Sequence, residues 1–569
     1  MRARLLAPDG LTHQDATFDA ATLTKATYQA ATGLLDAEEA RAFLDRLLAG
    51  PDLVPVATPQ GPGFTTAALL AQERRIVQVA RAKAATRTLA PRPELLGRAA
   101  QLANLTGPRL SKEQLAALRH LGAPVGWASL EGRAGTGKTT LLRALLRAYR
   151  GNGQQVVLVS TAAETARRTA RELSLDQGYT VEAFARAVAT GRLKPTGDWV
   201  VLVEEAAMVD TPRMAALLDA AGPAAIRTLG DPEQAQPVGP GGWQRLVDQA
   251  VGGHVELTRV VRQRDLADRE ACQAIRDGHA PDALASLQAR GRLHLAPDRS
   301  TAVKEVVHAW DEHRRARGLE GVAIVTDTDN ATVDTLNALC QARRHAAGEL
   351  TGPAVTVVDR AYSRGEQFYA GDRVRFVRPY RANDDLLPTY VANGTAGQVL
   401  AVDPDRGQVV VRVDDGRTVT VQPAIHEDAQ PLRLGYAGHA LKLQGGQAAV
   451  VLVLPGGWQT SRQSAYSMAT RCVEEFHVFV DAATQQAGPY RDTDPVEALD
   501  ARWTRDASKH AAASRIDWTE ELDGPARGWR GTDDPLVVPP PEPHELARAI
   551  QPHDLDLGHD LSDGLAIEL

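Results

Sequence analysis

Residues 126–150 read GWASLEGRAGTGKTTLLRALLRAYR, and this stretch decides the fold. A short apolar run is followed by Gly132-Arg133-Ala134-Gly135-Thr136-Gly137-Lys138-Thr139-Thr140 and then by apolar residues at helical spacing. A strand, a glycine-rich turn of the form GxxxxGK[ST] and an amphipathic helix form a phosphate cradle. The glycines let backbone N–H groups turn inward around phosphate oxygens, and the helix presents its positive end to them. Lys138 is expected to reach the β and γ phosphates, and the Thr139 hydroxyl to sit on Mg²⁺. A nucleoside triphosphate follows, ATP or GTP. A glycine-rich strand-to-helix turn without a ligand is the plainer alternative.

About 65 residues on, WVVLVEEAAMVD (199–210) is an apolar strand ending in two adjacent carboxylates, Glu204 and Glu205. One carboxylate can hold Mg²⁺ while its neighbour polarises the attacking water, as phosphoryl transfer requires. An idle, solvated acidic pair would read the same. Around these motifs, apolar β-type runs alternate with helical stretches, the pattern of a parallel sheet wrapped by helices. The expected class is α/β, and 569 residues is too long for one core.

Residues 1–104 read as a helical accessory domain, on stretches such as DAEEARAFLDRLLAG and TTAALLAQERRIVQVARAKAA. Residues 105–255 form the first α/β domain, and 256–355 with 432–490 the second, carrying GVAIVTDT, AAVVLVLPG and FHVFVDAA. Between the two parts, residues 356–431 hold short alternating strands split by Gly and Asp turns, the signature of a small inserted β-barrel. Residues 491–569 read as an extension with a disordered Pro-containing tail. From Leu536 onward it holds seven acids against the single base Arg548, so most of the net charge of −7 sits there. The nearly neutral body neither supports nor excludes DNA binding. Cys272, Cys340 and Cys472 are far apart with no CxxC pair, which argues for reduced thiols and against a disulfide framework or zinc site. No apolar run reaches membrane length and no signal-peptide core opens the chain, so a cytoplasmic protein is expected.

Further motifs follow in an order that resembles superfamily 1 helicases of the RecD-like branch, above all the helicase portion of TraI/TrwC-type conjugative relaxases, over residues 100–485. The resemblance implies two RecA-like motor domains, ATP with Mg²⁺, and single-stranded or tailed duplex DNA as partner. In LSKEQLAAL (110–118) it places Gln114 on the adenine edge, favouring ATP. In VVLVSTAAETARRTA (156–170), Ser160 and Thr161 would touch the strand backbone; Thr161-x-x-Glu164 is equally a capping box. LGDPEQAQPVG (229–239) supplies Gly230, Asp231 and Gln234, with Gln234 sensing the γ-phosphate. ELTRVVRQRD (256–265) supplies Arg262, and SAYSMATRC (464–472) supplies Tyr466, Thr470 and Arg471, the expected arginine finger. Two arginines on a second domain can stabilise transition-state charge only when the domains close.

Several positions depart from that pattern. Glu204 stands where Asp is usual, so metal placement could shift by about an ångström, enough in principle to cost rate. YAGHALKLQGGQ (436–447) keeps Tyr436, Lys442, Gln444 and Gly445 but has His439, Leu441 and Gln447 at positions usually filled otherwise. Tyr436, His439 and Gln444 remain the expected DNA contacts there, with His439 lining a groove or simply packed. Phe184, Tyr436 and Trp458 are candidate base-stacking residues, each also a candidate core residue. The relaxase nucleophile and three-histidine cluster find no counterpart in the first hundred residues beyond Tyr28 and His13, so nicking is not expected. The inserted segment resembles the SH3-like insertion of RecD-like helicases; it would guide DNA or dock a protein partner. The implied function is a monomeric ATP-dependent 5′–3′ DNA helicase. Its rivals are a vestigial helicase that only grips single-stranded DNA and a remodeller of protein–DNA complexes recruited through the acidic tail.

Overall fold

The computed structural model describes residues 1–58, 61–359, 364–382, 389–422, 430–440, 446–457 and 459–516. Lys442, Gln444, Trp458 and the acidic tail therefore lie outside the described residues. The chain forms two compact units.

The first unit gathers three separate pieces, Met1–Gln78, Val238–Ala250 and the chain from Lys509. Helix Ala37–Leu48 starts at a capping box in which the Asp36 side chain accepts from Glu39 N–H and the Glu39 side chain accepts from Asp36 N–H. Strands β1 (Phe18–Asp19), β2 (Leu53–Thr58) and β3 (Gly61–Thr66) pair antiparallel in the order β1-β3-β2. The all-helical expectation for the opening residues is thus corrected. The apolar periodicity of its helices masked three short strands, of which β1 and β3 carry Phe18 and Phe64, whose rings stack 6.3 Å apart. Lys509 Nζ donates to the carbonyls of Gln14, Val238 and Gly239, one ammonium joining all three pieces.

The second unit comprises Val79–Pro237 and Val251–Ser508. Its first sheet is parallel throughout. It contains β4 (Trp127–Gly132), β5 (Gln155–Ser160), β6 (Gly178–Thr180), β7 (Trp199–Glu204), β8 (Ala225–Gly230) and β9 (Val255–Leu257) in the order β6-β5-β7-β8-β4-β9. Near-continuous Val/Leu runs are what a sheet buried on both faces demands, and residues 200–203 are fully buried. The chain then passes through β10 (Leu293–Ala296) and β11 (Val322–Thr326) into the inserted segment.

Two hairpins, β12 (Val355–Asp359) with β13 (Arg364–Phe368) and β15 (Tyr380–Ala382) with β16 (Thr389–Val391), flank a larger sheet. That sheet contains β14 (Arg373–Phe376), β17 (Ala396–Asp403), β18 (Gln408–Val413), β19 (Thr418–Val421) and β20 (Leu432–Leu434), antiparallel in the order β19-β18-β17-β14-β20. Every second residue, among them Val374, Phe376, Val409, Val411, Val419 and Val421, points into its core. Finally β21 (Ala437–His439), β22 (Ala448–Leu454) and β23 (Cys472–Asp481) complete a second parallel sheet, β10-β23-β22-β11-β21. The α/β architecture is as expected. Cys272, Cys340 and Cys472 are buried free thiols, and no described helix is long and apolar enough to cross a membrane.

Candidate nucleotide site

Strands β4, β7 and β8 end side by side, so the loop after β4, the acids after β7 and Asp231 after β8 share the carboxyl edge of the first sheet. That edge is where open α/β sheets bind ligands. Gly135 (φ 79°) and Gly137 (φ 80°) take left-handed conformations, and helix Lys138–Gly151 begins at once. A Cβ on Gly135 would lie 2.5 Å from Arg262 Cβ, and one on Gly137 would lie 2.7 Å from Gln114 Nε2. Glycine is therefore required twice, for the turn and for close approach by neighbours. Lys138 Nζ donates to Gly132 O at 2.5 Å, folded back into the loop. Thr139 and Thr140 follow Lys138 in the first turn of the helix.

Gln114 lies against this loop, but not as predicted. Its Oε1 accepts from Ser111 N–H (2.9 Å) in a capping box, and its Nε2 donates to Thr136 O (3.0 Å). In this arrangement the amide braces the loop. Glu113, which sequence reasoning passed over, accepts from Thr258 Oγ1 (2.6 Å) and from Thr258 and Arg259 N–H. An acidic residue in the first turn of a capped helix was the only available signal.

The carboxylates differ from one another. Glu204 ends β7, and its Oε2 is out of water with no hydrogen-bond partner. Burial, then the neighbouring charge of Glu205, push its carboxyl up to about 7. A buried carboxylate oxygen without a donor is what a cation ligand looks like when nothing is bound to it. Glu205 is one of two described non-glycine residues at positive φ (53°), a strained conformation that turns its carboxylate away from the strand direction.

From the second half of the unit come two guanidinium groups. Arg262 Nη1 donates to Thr470 O (2.8 Å) and Arg471 Nε to Ser467 O (3.0 Å). Neither forms an ion pair among the described residues. Burial depresses both, Arg471 to about 10 with the charge of Arg262 as the second cause, while Glu205 pulls each the other way. Two buried positive groups thus lie close enough to each other and to Glu205 for each charge to act on the others.

Asp231 knits the halves together. Its Oδ2 accepts from Ala134 N–H (3.2 Å), Tyr466 OH (3.1 Å) and Gln234 Nε2 (3.1 Å). Gln234 is buried at the place expected, with its amide on Asp231. Arg276, also missed, spans Glu131 (2.9 Å) and Asp231 (3.9 Å). Arg133 reaches Glu256 (3.0 Å) and Gln273 (2.7 Å), so its side chain serves the contact between halves. Such residues lie outside motifs because their partners are distant in sequence.

The DNA predictions fare less well. Ser160 is fully buried and cannot touch a strand. Ala162, not Thr161, precedes helix Ala163–Glu172, with no side-chain cap, so the capping box is corrected: Glu164 instead accepts from Thr395 Oγ1 (2.7 Å) of the inserted segment. Tyr436 is a core residue, its hydroxyl donating to Asp372 Oδ1 (2.5 Å) and accepting from Arg344 Nη1 (3.0 Å), and Phe184 is fully buried. The apolar body of each ring found a denser environment than a groove provides. Thr161 and His439 stay partly exposed at strand ends, with His439 Nε2 3.1 Å from Asn330 Oδ1.

Residues 109–298 match the family model described as AAA domain. The conjugal transfer protein TraA of Agrobacterium fabrum is 29% identical over 375 residues, 65% of this chain and 32% of that protein. A probable TraA of Sinorhizobium fredii is 26% identical over 382 residues, 66% of this chain and 33% of its own length. The chain thus spans about a third of the length of the curated relatives it matches. Among solved structures it is similar to Pif1 helicase from Candida albicans (19% identity, TM-score 0.43, 65% of this chain and 94% of that one). It is also similar to Pif1 from Bacteroides in complex with ADP-AlF3 and ssDNA (17% identity, TM-score 0.40, 69% and 93%). Residues 109–298 are thus similar to an AAA domain, and about two thirds of the chain resembles one part of the conjugal transfer protein TraA.

Proposed function

We propose that the chain is an ATP-dependent DNA helicase that moves 5′ to 3′ along single-stranded DNA. Two RecA-like domains, residues 105–255 and 256–355 with 432–490, would close on ATP, with the inserted segment as an SH3-like barrel beside the strand. The observation that carries this reading is the pair Arg262 and Arg471, unneutralised and set against Glu204, Glu205 and the glycine-rich loop.

In this reading the loop amides and Lys138 hold the phosphates, Lys138 swinging off Gly132 O to do so. Thr139 and the unpartnered oxygen of Glu204 would hold Mg²⁺, which would supply charge neutralisation for the phosphates when bound. Glu205 orients and polarises the attacking water. As the water oxygen bonds to the γ-phosphorus and the bond to the bridging oxygen breaks, Arg262 and Arg471 stabilise the charge on the departing phosphoryl group. Both arginines belong to the second domain, so hydrolysis is tied to domain closure, and closure per ATP is the step along the strand. Thr161 and His439 would line the strand path.

The test is ATP turnover with and without single-stranded DNA, for the intact chain and Lys138→Ala. Stimulated turnover that falls at least about a thousandfold in the variant is the expected result. Duplexes with 5′ tails should then be separated and those with 3′ tails left intact. DNA binding without turnover would refute the motor.

A further inference from the structure

Beside Arg471 lies a cavity of about 600 Å³, bounded by helix Ala163–Glu172, strand β14 and the beginnings of β11 and β22. Five arginines line it: Arg168, Arg171, Arg373, Arg375 and Arg471. Most of its carboxylates are already engaged. Glu172 pairs with Arg168 (3.7 Å), Asp414 with Arg373 (2.5 Å), and Glu164 with Arg171 (4.0 Å) and the Thr395 hydroxyl (2.7 Å); Glu320 is exposed to solvent. The lining therefore carries one more arginine than carboxylate. Arg375 Nη1 donates to Gly394 O (3.1 Å), and Arg471 forms the wall shared with the hydrolysis site. Arg168 bridges the two spaces electrostatically, its charge acting on both Glu204 and Arg471. Burial pushes Arg375 and Arg471 down to about 10, which leaves both charged at neutral pH.

We propose that this cavity is the exit for inorganic phosphate after ATP hydrolysis; the inference rests on the ATPase reading above. Hydrolysis leaves ADP seated in the glycine-rich loop and a free phosphate dianion beyond it. While ADP remains, the entry side is blocked. A second opening lined with surplus cations, reached past the arginine that contacted the γ-phosphate, draws the dianion outward. No bond changes in this step: the phosphate is handed from Arg471 to the cavity arginines and then to water.

The experiment introduces a carboxylate into the route. Gln447 lines the cavity and is exposed, so Gln447→Glu keeps the fold; Ala396→Glu is an independent second placement. Phosphate formed on the protein is followed by rapid chemical quench, and phosphate set free by a fluorescent phosphate-binding sensor, with single-stranded DNA present. Hydrolysis on the protein should stay within about twofold of wild type while release slows about tenfold, and added KCl should shrink the deficit as the charge is screened. Unchanged release in both variants, or equal slowing of hydrolysis and release, would overturn the proposal. Weakened DNA binding with unchanged release would overturn it too, assigning the cavity to strand phosphates. If the wild-type chain forms no phosphate at all, the ATPase reading is what fails.

Discussion

Two arginines buried in the second unit make opposite use of the same guanidinium. Arg227, in the middle of β8, is fully buried, yet every nitrogen has a partner. Nε donates to Leu121 O (2.6 Å) and Tyr149 Oη (2.9 Å), Nη1 to Ile226 O (2.9 Å), and Nη2 to Ala123 O (3.1 Å) and Val125 O (2.9 Å). Arg471 is almost as buried but has one carbonyl, Ser467 O. Burial alone therefore does not mark a working cation; the number of unmet donors does. A saturated guanidinium acts as a strut, whereas one with donors to spare can still take an anion.

The contrast can be broken most forcefully at Arg471. Arg471→Ala should lower DNA-stimulated turnover about a thousandfold, the scale of an arginine finger, while the thermal midpoint stays put or rises because an uncompensated buried charge is gone. A lowered midpoint with turnover intact would make Arg471 the strut. Arg227→Met should do the reverse. Five acceptors lose one donor each, and stability falls by about 3 kcal/mol, or roughly 4 °C in midpoint, with turnover per folded molecule within about twofold of wild type. Differential scanning calorimetry beside an ATPase assay at low temperature reads both.

A carboxylate in the first unit sharpens the comparison from the other sign of charge. Glu73 is fully buried and, among the described residues, accepts from two amide N–H groups, Ala512 (3.1 Å) and Ala513 (2.8 Å). Burial raises its carboxyl to about 8 despite them. The folded chain thus keeps a proton that the unfolded chain, titrating near the ordinary value of 4.5, releases. Stability is full below that value and is lost as pH rises towards 8. Between pH 5 and pH 7 the loss should be about 2 kcal/mol, and Glu73→Gln, which mimics the protonated form, should flatten the slope. A wild-type midpoint that does not fall over this range would mean the two amides suffice.

The same contrast explains what the amino-acid sequence makes legible. Lys138, Thr139, Glu204 and Glu205 are readable because each lies on a contiguous strand-turn or strand-end whose chemistry is local. The parallel sheets are readable from runs such as VVLVE. Arg276, Glu113 and Asp231 as a hub are not, since what defines them is a partner on another strand or helix far along the chain. Gln114 and Tyr436 show the reverse failure. Their motifs were recognised, but a side chain's place in a motif does not say which of its edges packing will consume. The three-piece first unit is hardest of all, because no local periodicity announces that residues near 14, 238 and 509 meet.

That assembly has a consequence for how the protein is made. Glu73 and its donor at Ala512 are separated by 439 residues. At ribosomal speeds of roughly 5–20 residues per second, about 20 to 90 seconds pass between the synthesis of one and the other. The second unit, whose described contacts lie between residues 79 and 508, can fold in that interval, whereas the first unit stays open until the late segment emerges. Birth order thus makes the N-terminal residues the last to close, and a nascent chain halted near residue 508 would carry a finished nucleotide site beside an unfinished neighbour.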